Sequence, residues 1–261
     1  MASYTVLRKG DVLPTVAVLQ ALLNRAGAAL KVDCDFGRLT AEALAAFQQN
    51  RSIEEWGVVG AETWRRLSWG ESLPIADCID VFDQTLYERQ AQVVVQTGSE
   101  PLFMGGMSNG LAQAAVDLAS LRGVFLLRFI GHGCPGVQGL GIGKGGWIEY
   151  KDDKEIRHIF AGERSRLQPG TARGQGWIGL RGVFGPYASV ELHGCHVAAG
   201  HTGRRFVSDL ANLLNVPVTA AEESQHQAVR FDGPTFTGWP LGTSRSSWCQ
   251  GLPAPPGRSV P

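Results

Sequence analysis

The chain has 261 residues, 44% of them apolar and 18% charged, and Lys plus Arg equals Asp plus Glu at 24 each. Such a composition suits an ordinary folded chain of one large or two modest domains, and it supplies no net field to draw the protein onto nucleic acid or an anionic membrane. Partners must therefore be sought in local sites. The amino-terminal MASYTVLRKGDV has no unbroken apolar stretch of signal-peptide length, and no segment approaches the roughly 20 apolar residues of a membrane span. Five cysteines, Cys34, Cys78, Cys134, Cys195 and Cys249, are scattered and contain no CxxC pair. Their number and spacing argue against a disulfide framework or a structural zinc ribbon and predict mostly small buried thiols.

In chain order, the first predicted element is an amphipathic helix from Pro14, with Val16, Leu19, Leu23 and Ala26 at spacings of three and four and Gly27 as its stop. Thr40 is expected to cap a second helix presenting Leu44 and Phe47, and Ala61 to Leu67 forms a third with Trp64 and Leu67 inward. None is long enough to be stable alone, so the three must share a core. The segments LRKGDVLPTVAVLQALLNRAG, VDCDFGRLTAEALAAFQ and WGVVGAETWRRL, in that order, resemble the three-helix peptidoglycan-binding domains of bacterial cell-wall proteins. The resemblance implies such a domain over residues 1–70, with peptidoglycan as its partner. Cys34 stands where that family usually has glycine. The alternative is a helical bundle kept as an interaction or inhibitory module.

Gly70, Ser72 and Pro74 mark a boundary between Ser68 and Pro74. Beyond it come a short Val-rich run over Gln92 to Gln96, helical periodicity over Leu111 to Leu121, and a nearly continuous apolar run from Val124 to Ile130. A strand over Ser189 to Leu192, a helix over Arg204 to Leu214 and a strand over Val216 to Ala220 follow. This alternation predicts an α/β domain over residues 74–250 with a mostly parallel sheet covered on both faces, joined to the small all-α amino-terminal domain. Trp239 and Trp248 predict that the chain still packs beyond Phe231, whereas residues 251–261 read as a Pro/Gly-rich mobile tail.

Reactive groups in parallel sheets gather at the carboxyl ends of strands. FLLRFIGHG puts His132 and Gly133 just after one predicted strand, and SVELHGC puts Gly194 and Cys195 just after another. A thiol is a nucleophile only as thiolate, which a nearby imidazole can generate before protonating the leaving group. The order of these motifs resembles the caspase, gingipain and legumain superfamily of cysteine peptidases. HGCPGVQGLGIG together with GCHVAAGHTGRRFVSDLANLLNVPVTAA is similar to a caspase-like domain of large bacterial surface proteins. The resemblance implies Cys195 as nucleophile, His132 as general acid/base, and the amides of Gly133 and Cys195 as oxyanion donors. It implies no cofactor. Glu222, Glu223, Ser224 and Gln225 follow the last clear strand, where related peptidases build the substrate pocket, and the acids there suit a basic side chain.

Other readings compete. His193, Cys195, His196 and His201 are close enough in sequence to suggest zinc, but on a strand only His193 and Cys195 share a face, so no metal is expected. Cys134, before Pro135, reads as a turn residue. The run VQGLGIGKGGW reads as a β-hairpin rather than a phosphate loop because no convincing helix follows. The leading expectation is a cell-wall-associated cysteine hydrolase that cleaves an amide bond in wall peptide or protein, its helical module raising local substrate concentration by tethering. The alternatives are a catalytically inactive caspase-like binding protein of the envelope and a zinc-dependent wall amidase. A location at the envelope or outside the cell requires a dedicated export route, injection into a competitor or release by lysis; a cytoplasmic role is the other option.

Overall fold

Pro14 presets the helical φ at the first position of α1 (Pro14–Arg25), and Gly27, at φ +103°, lets the chain turn away after it. The computed structural model describes residues 4–68, 73–80, 84–104, 115–139, 147–151, 155–160, 163–166 and 177–252. In its first module β1 (Leu7–Arg8) pairs antiparallel with β2 (Val58–Val59), while α2 (Arg38–Asn50) and α3 (Ala61–Leu67) complete three helices around buried Phe36, Leu44 and Trp64. Gly37, not Thr40, occupies the position before α2. Thr40 is instead buried one turn in, where its hydroxyl donates to the Asp35 carbonyl (3.3 Å) and accepts from Gln20 (3.0 Å).

Two buried glutamines pin the module's loops. The Gln20 carbonyl accepts from the amides of Asp33 (2.8 Å) and Cys34 (3.2 Å), and the Gln48 carbonyl accepts from Gly57 (2.9 Å). The Gln48 amide donates to the Val58 carbonyl (2.8 Å) and Thr63 (3.0 Å). Glu55 supplies the cap that α3 lacks, its carboxylate accepting from the amides of Gly60, Glu62 and Thr63.

After the boundary the strands are β3 (Ile75–Asp80), β4 (Leu102–Met104), β5 (Val124–Ile130), β6 (Gly133–Cys134), β7 (Val137–Gly139), β8 (Trp147–Lys151), β9 (Glu155–Phe160), β10 (Glu163–Arg166), β11 (Phe184–His193), β12 (Val218–Ala221) and β13 (Thr235–Gly238). They are accompanied by helices α4 (Gln84–Gln96), α5 (Gly200–Leu214) and α6 (Arg245–Gln250). A six-stranded sheet runs in the order β13-β12-β11-β5-β3-β4, parallel except for the antiparallel edge strand β13. A second, antiparallel sheet runs β10-β9-β8-β7-β6. The pairing of β7 with β8 is the hairpin expected around the glycine-rich run, whose residues 140–146 lie outside the described residues.

The Val-rich run at Gln92–Gln96 ends α4 rather than forming a strand. Val94 is buried, Val95 and Gln96 are both exposed and Thr97 is buried again, a three-residue spacing that strand alternation does not give. Within the expected Leu111–Leu121 helix, residues 115–118 are helical, and 105–114 lie outside the described residues. The strand expected at Ser189–Leu192 extends over ten residues.

Both faces of the parallel sheet are covered, by different parts of the chain. On one face Phe206, Val207, Leu210 and Leu214 of α5 pack against Leu127, Phe129, Val190, Leu192 and Val218. On the other, Leu126, Tyr187, Ala221 and Phe231 share a core with Val16, Leu19, Leu23 and Trp64 of the first module, while Val94 of α4 covers Ile79 and Ile130. Trp64 meets Phe125 edge-on, with centroids 6.0 Å apart. This double duty explains α1, where every residue from Pro14 to Gln20 is buried. A helix apolar on all sides needs neighbours on all sides.

Beneath the module lies a row of polar residues held side by side by register: Thr237, Thr219, Glu191, Arg128 and Asp77. Arg128, fully buried in the middle of β5, grips Asp77 through two nitrogens and donates to the Val229 carbonyl (3.3 Å). Among the described residues no helix is long and apolar enough to cross a membrane.

Candidate active site at the carboxyl edge of the parallel sheet

Strands β5 and β11 are parallel neighbours, and Ile130 lies opposite His193 at the end of both. The chain therefore leaves the sheet at the same level twice, once as Gly131-His132-Gly133 and once as Gly194-Cys195. The two exits touch. A β-carbon at Gly133 would fall 2.8 Å from Gly194 Cα and 2.7 Å from the Val197 side chain, and one at Gly194 would fall 2.9 Å from Gly133 Cα. Only residues without side chains let two backbones approach so closely.

Gln138 of β7 bolts the exits together. It is fully buried, accepts the Gly194 amide proton (2.9 Å) and donates to the Gly139 carbonyl (3.0 Å), while the Gly139 amide donates to the His132 carbonyl (2.8 Å). Gly131 abuts Asp80 of β3, so closely that a β-carbon there would lie 2.6 Å from that of Asp80. His132 and Cys195 thus occupy equivalent positions, two residues past the last paired rung, on adjoining turns.

Cys195 is half-buried, and its Sγ accepts the Gln225 amide proton at 3.3 Å, with the Gln225 carbonyl 3.7 Å away. Residues 222–225 line this turn because His196, held at φ +56°, ties them down. Its main-chain amide donates to the Glu223 carbonyl (3.0 Å), and its ring nitrogens meet the Glu222 carbonyl (3.2 Å) and the Ser224 hydroxyl (3.1 Å). Glu222 is paired with Arg204 of α5 (2.6 Å), which leaves Glu223 as the more exposed acid of the two. The structure therefore brings Glu222, Glu223, Ser224 and Gln225 beside Cys195.

The histidines separate. β11 ends at His193, so His193 and Cys195 no longer share a strand face as alternation predicted. His193 lies buried under the first module, its Nε2 3.0 Å from Glu191 and its ring stacked on Phe231 at 4.2 Å. His201 is exposed in the first turn of α5, and Cys134 is exposed on β6. Among the described residues no group of three or more His, Cys, Asp or Glu side chains is placed to hold a metal ion. Gln138 and His196, which fix both turns, were not identified as such from the sequence. The one polar side chain amid VQGLG, directly after the His132 motif, was the available signal.

Two family models match parts of the chain. Residues 13–67 match the family described as “Putative peptidoglycan binding domain”, and residues 165–230 match a “Domain of unknown function (DUF4347)”. The first match spans α1 to α3 and associates the chain with the cell wall; the second includes the Cys195 turn and stops short of His132 in sequence. No curated protein matches the chain. Among solved structures, the crystal structure of a Burkholderia AP3 phage endolysin is 29% identical over 52% of this chain and 45% of its own, with a TM-score of 0.25. The chain thus spans under half the length of that endolysin.

Proposed function

We propose that the protein is a wall-targeted cysteine hydrolase of the caspase-like type, with Cys195 as nucleophile and His132 as general acid/base. The observation that carries this reading is the matched exit of two neighbouring parallel strands, with Gly133 and Gly194 in backbone contact. Adjoining turns of this kind suit a reaction shared between an imidazole and a thiol.

In this reading the Cys195 thiolate, supported by the Gln225 amide proton, attacks the carbonyl carbon of an amide. The resulting oxyanion accepts hydrogen bonds from the amides of Gly133 and Cys195, each worth about 3 kcal/mol in the transition state. His132 protonates the departing amine, then takes a proton from the water that hydrolyses the thioester. The exposed acid Glu223 favours a basic group next to the scissile bond. Peptidoglycan bound by residues 13–67, a family match that names this ligand, keeps the substrate nearby.

The test compares purified sacculi and amide-bond peptide libraries, each with wild type, Cys195→Ala and His132→Ala. Loss of product in both variants with sacculus binding retained supports the reading; undiminished hydrolysis in either sinks it. Iodoacetamide labelling adds an independent readout, but Cys134 is exposed while Cys195 is half-buried, so the labelling must be done in a Cys134→Ser background. Rapid alkylation of Cys195 that slows in His132→Ala points to an activated thiol. Slow labelling with no product from any substrate points to the binding protein instead.

A further inference from the structure

Two of the five cysteines meet across the seam between the first module and the end of the second. Cys34 and Cys249 are both buried, and their sulfurs lie 3.2 Å apart in a pocket formed by Ala17, Val32, Trp239, Trp248 and Leu252. Each is held from its own side. The Cys34 amide donates to Gln20 and its carbonyl accepts from Leu13. Cys249 rides on α6, whose start is fixed by a capping box between Ser244 and Ser247 and by a hydrogen bond from Arg245 to the Asp33 carbonyl.

The backbone at Cys34 adds a second observation. It sits at φ +65°, in the left-handed region where a side chain is strained and glycine is not. A thiol at this position points inward to a second thiol from a distant part of the chain. We propose that Cys34 and Cys249 form a disulfide that staples the first module to α6 when the protein meets an oxidant of the small-disulfide class. The sulfurs need to approach by only about 1 Å to reach bonding distance.

Cys249 is the attacking group. The hydrogen bond with Cys34 draws its thiol below the ordinary range, whereas that same hydrogen bond, together with burial, pushes Cys34 up. When the six-residue α6 opens, the Cys249 thiolate attacks one sulfur of oxidised glutathione and expels one glutathione thiolate. Cys34 then loses its proton and attacks the Cys249 sulfur of the mixed disulfide, expelling the second. Two protein thiols are oxidised, and one glutathione disulfide is reduced to two glutathione molecules.

The experiment uses the full chain carrying Cys134→Ser and Cys195→Ala, incubated with oxidised glutathione, then unfolded, alkylated and mapped without reduction. It is independent of whether the protein is a hydrolase. The expected result is a linked Cys34–Cys249 peptide pair, a mass lower by two hydrogens, and a Tm raised by about 5–15 °C that dithiothreitol reverses. Cys34→Gly, which suits the backbone, should fold and show neither the link nor the shift. The proposal is overturned if both cysteines are recovered separately alkylated or glutathionylated, or if the Tm shift persists in Cys34→Gly.

Discussion

Replacing Arg128 with methionine isolates the energetics of the polar row under the first module. The substitution keeps most of the side-chain volume but leaves the Asp77 carboxylate, fully buried, without its cation, beside Glu191 on the other flank and with the Val229 carbonyl deprived of a donor. Breaking a buried pair from one side costs about 3–5 kcal/mol, to which the orphaned carbonyl adds about 1 kcal/mol. For a chain of this size each 1 kcal/mol moves Tm by about 2–4 °C, so Arg128→Met should melt roughly 10–20 °C below wild type. Asp77→Leu alone strands the guanidinium and should cost a similar amount. The double variant replaces the pair by apolar groups and should recover at least about 2 kcal/mol relative to the sum of the singles. Thermal and urea unfolding followed by circular dichroism measure all four corners of the cycle. Single variants within 1 kcal/mol of wild type, or strictly additive costs, would refute the view that this row is a tightly coupled unit.

Three further outcomes follow from the geometry. Gly194→Ala should destabilise by about 1–3 kcal/mol, because the added methyl must push the Gly133 backbone or Val197 aside; an unchanged urea midpoint contradicts the backbone contact. Gln138→Leu removes the acceptor of the buried Gly194 amide and should cost about 1–3 kcal/mol, with faster hydrogen exchange at Gly194 as its local signature. Burial raises the Asp11 carboxyl above 3.8 even though the Arg8 amide donates to it. Protonated Asp11 therefore favours the fold, and this contribution is lost as pH rises through the folded-state value. Asp11→Asn should gain stability relative to wild type as pH is raised from below 3.8 to neutrality; a difference in Tm that stays constant with pH removes the argument.

The three helices of the first module were legible in sequence because each obeys a local rule: proline at a helix start, glycine after its end, apolar residues at three- and four-residue spacing. The docking of that module was also written there but read differently. Positions 16, 19 and 23 mark one face, yet Ala17, Val18 and Leu22 leave little polar surface opposite, and all three are buried. Strand β3 carries no apolar signature because IADCID interrupts its run with Asp77 and Asp80, acids that are buried in the fold. For the candidate site, the glycine-flanked His132 and Cys195 after strong apolar runs were visible, since strand ends are local. The wiring by Gln138 and His196 depends on contacts between turns far apart in sequence, for which no single-chain periodicity exists. The zinc alternative rested on closeness in sequence, and the argument against it assumed a strand continuing past His193; β11 instead ends at His193.

The seat of the first module on the sheet changes what kind of fusion this is. A flexible leash lets its cargo search a sphere around the anchor. Here α1 belongs to both cores at once, so the two halves behave as one body. On the function proposed above, a wall polymer gripped by the helices would be held at a set offset from the sheet's carboxyl edge, as work is held against the fixed jaw of a caliper. On that same reading, the spacing of bonds along the polymer would add to their abundance nearby in deciding which of them comes within reach.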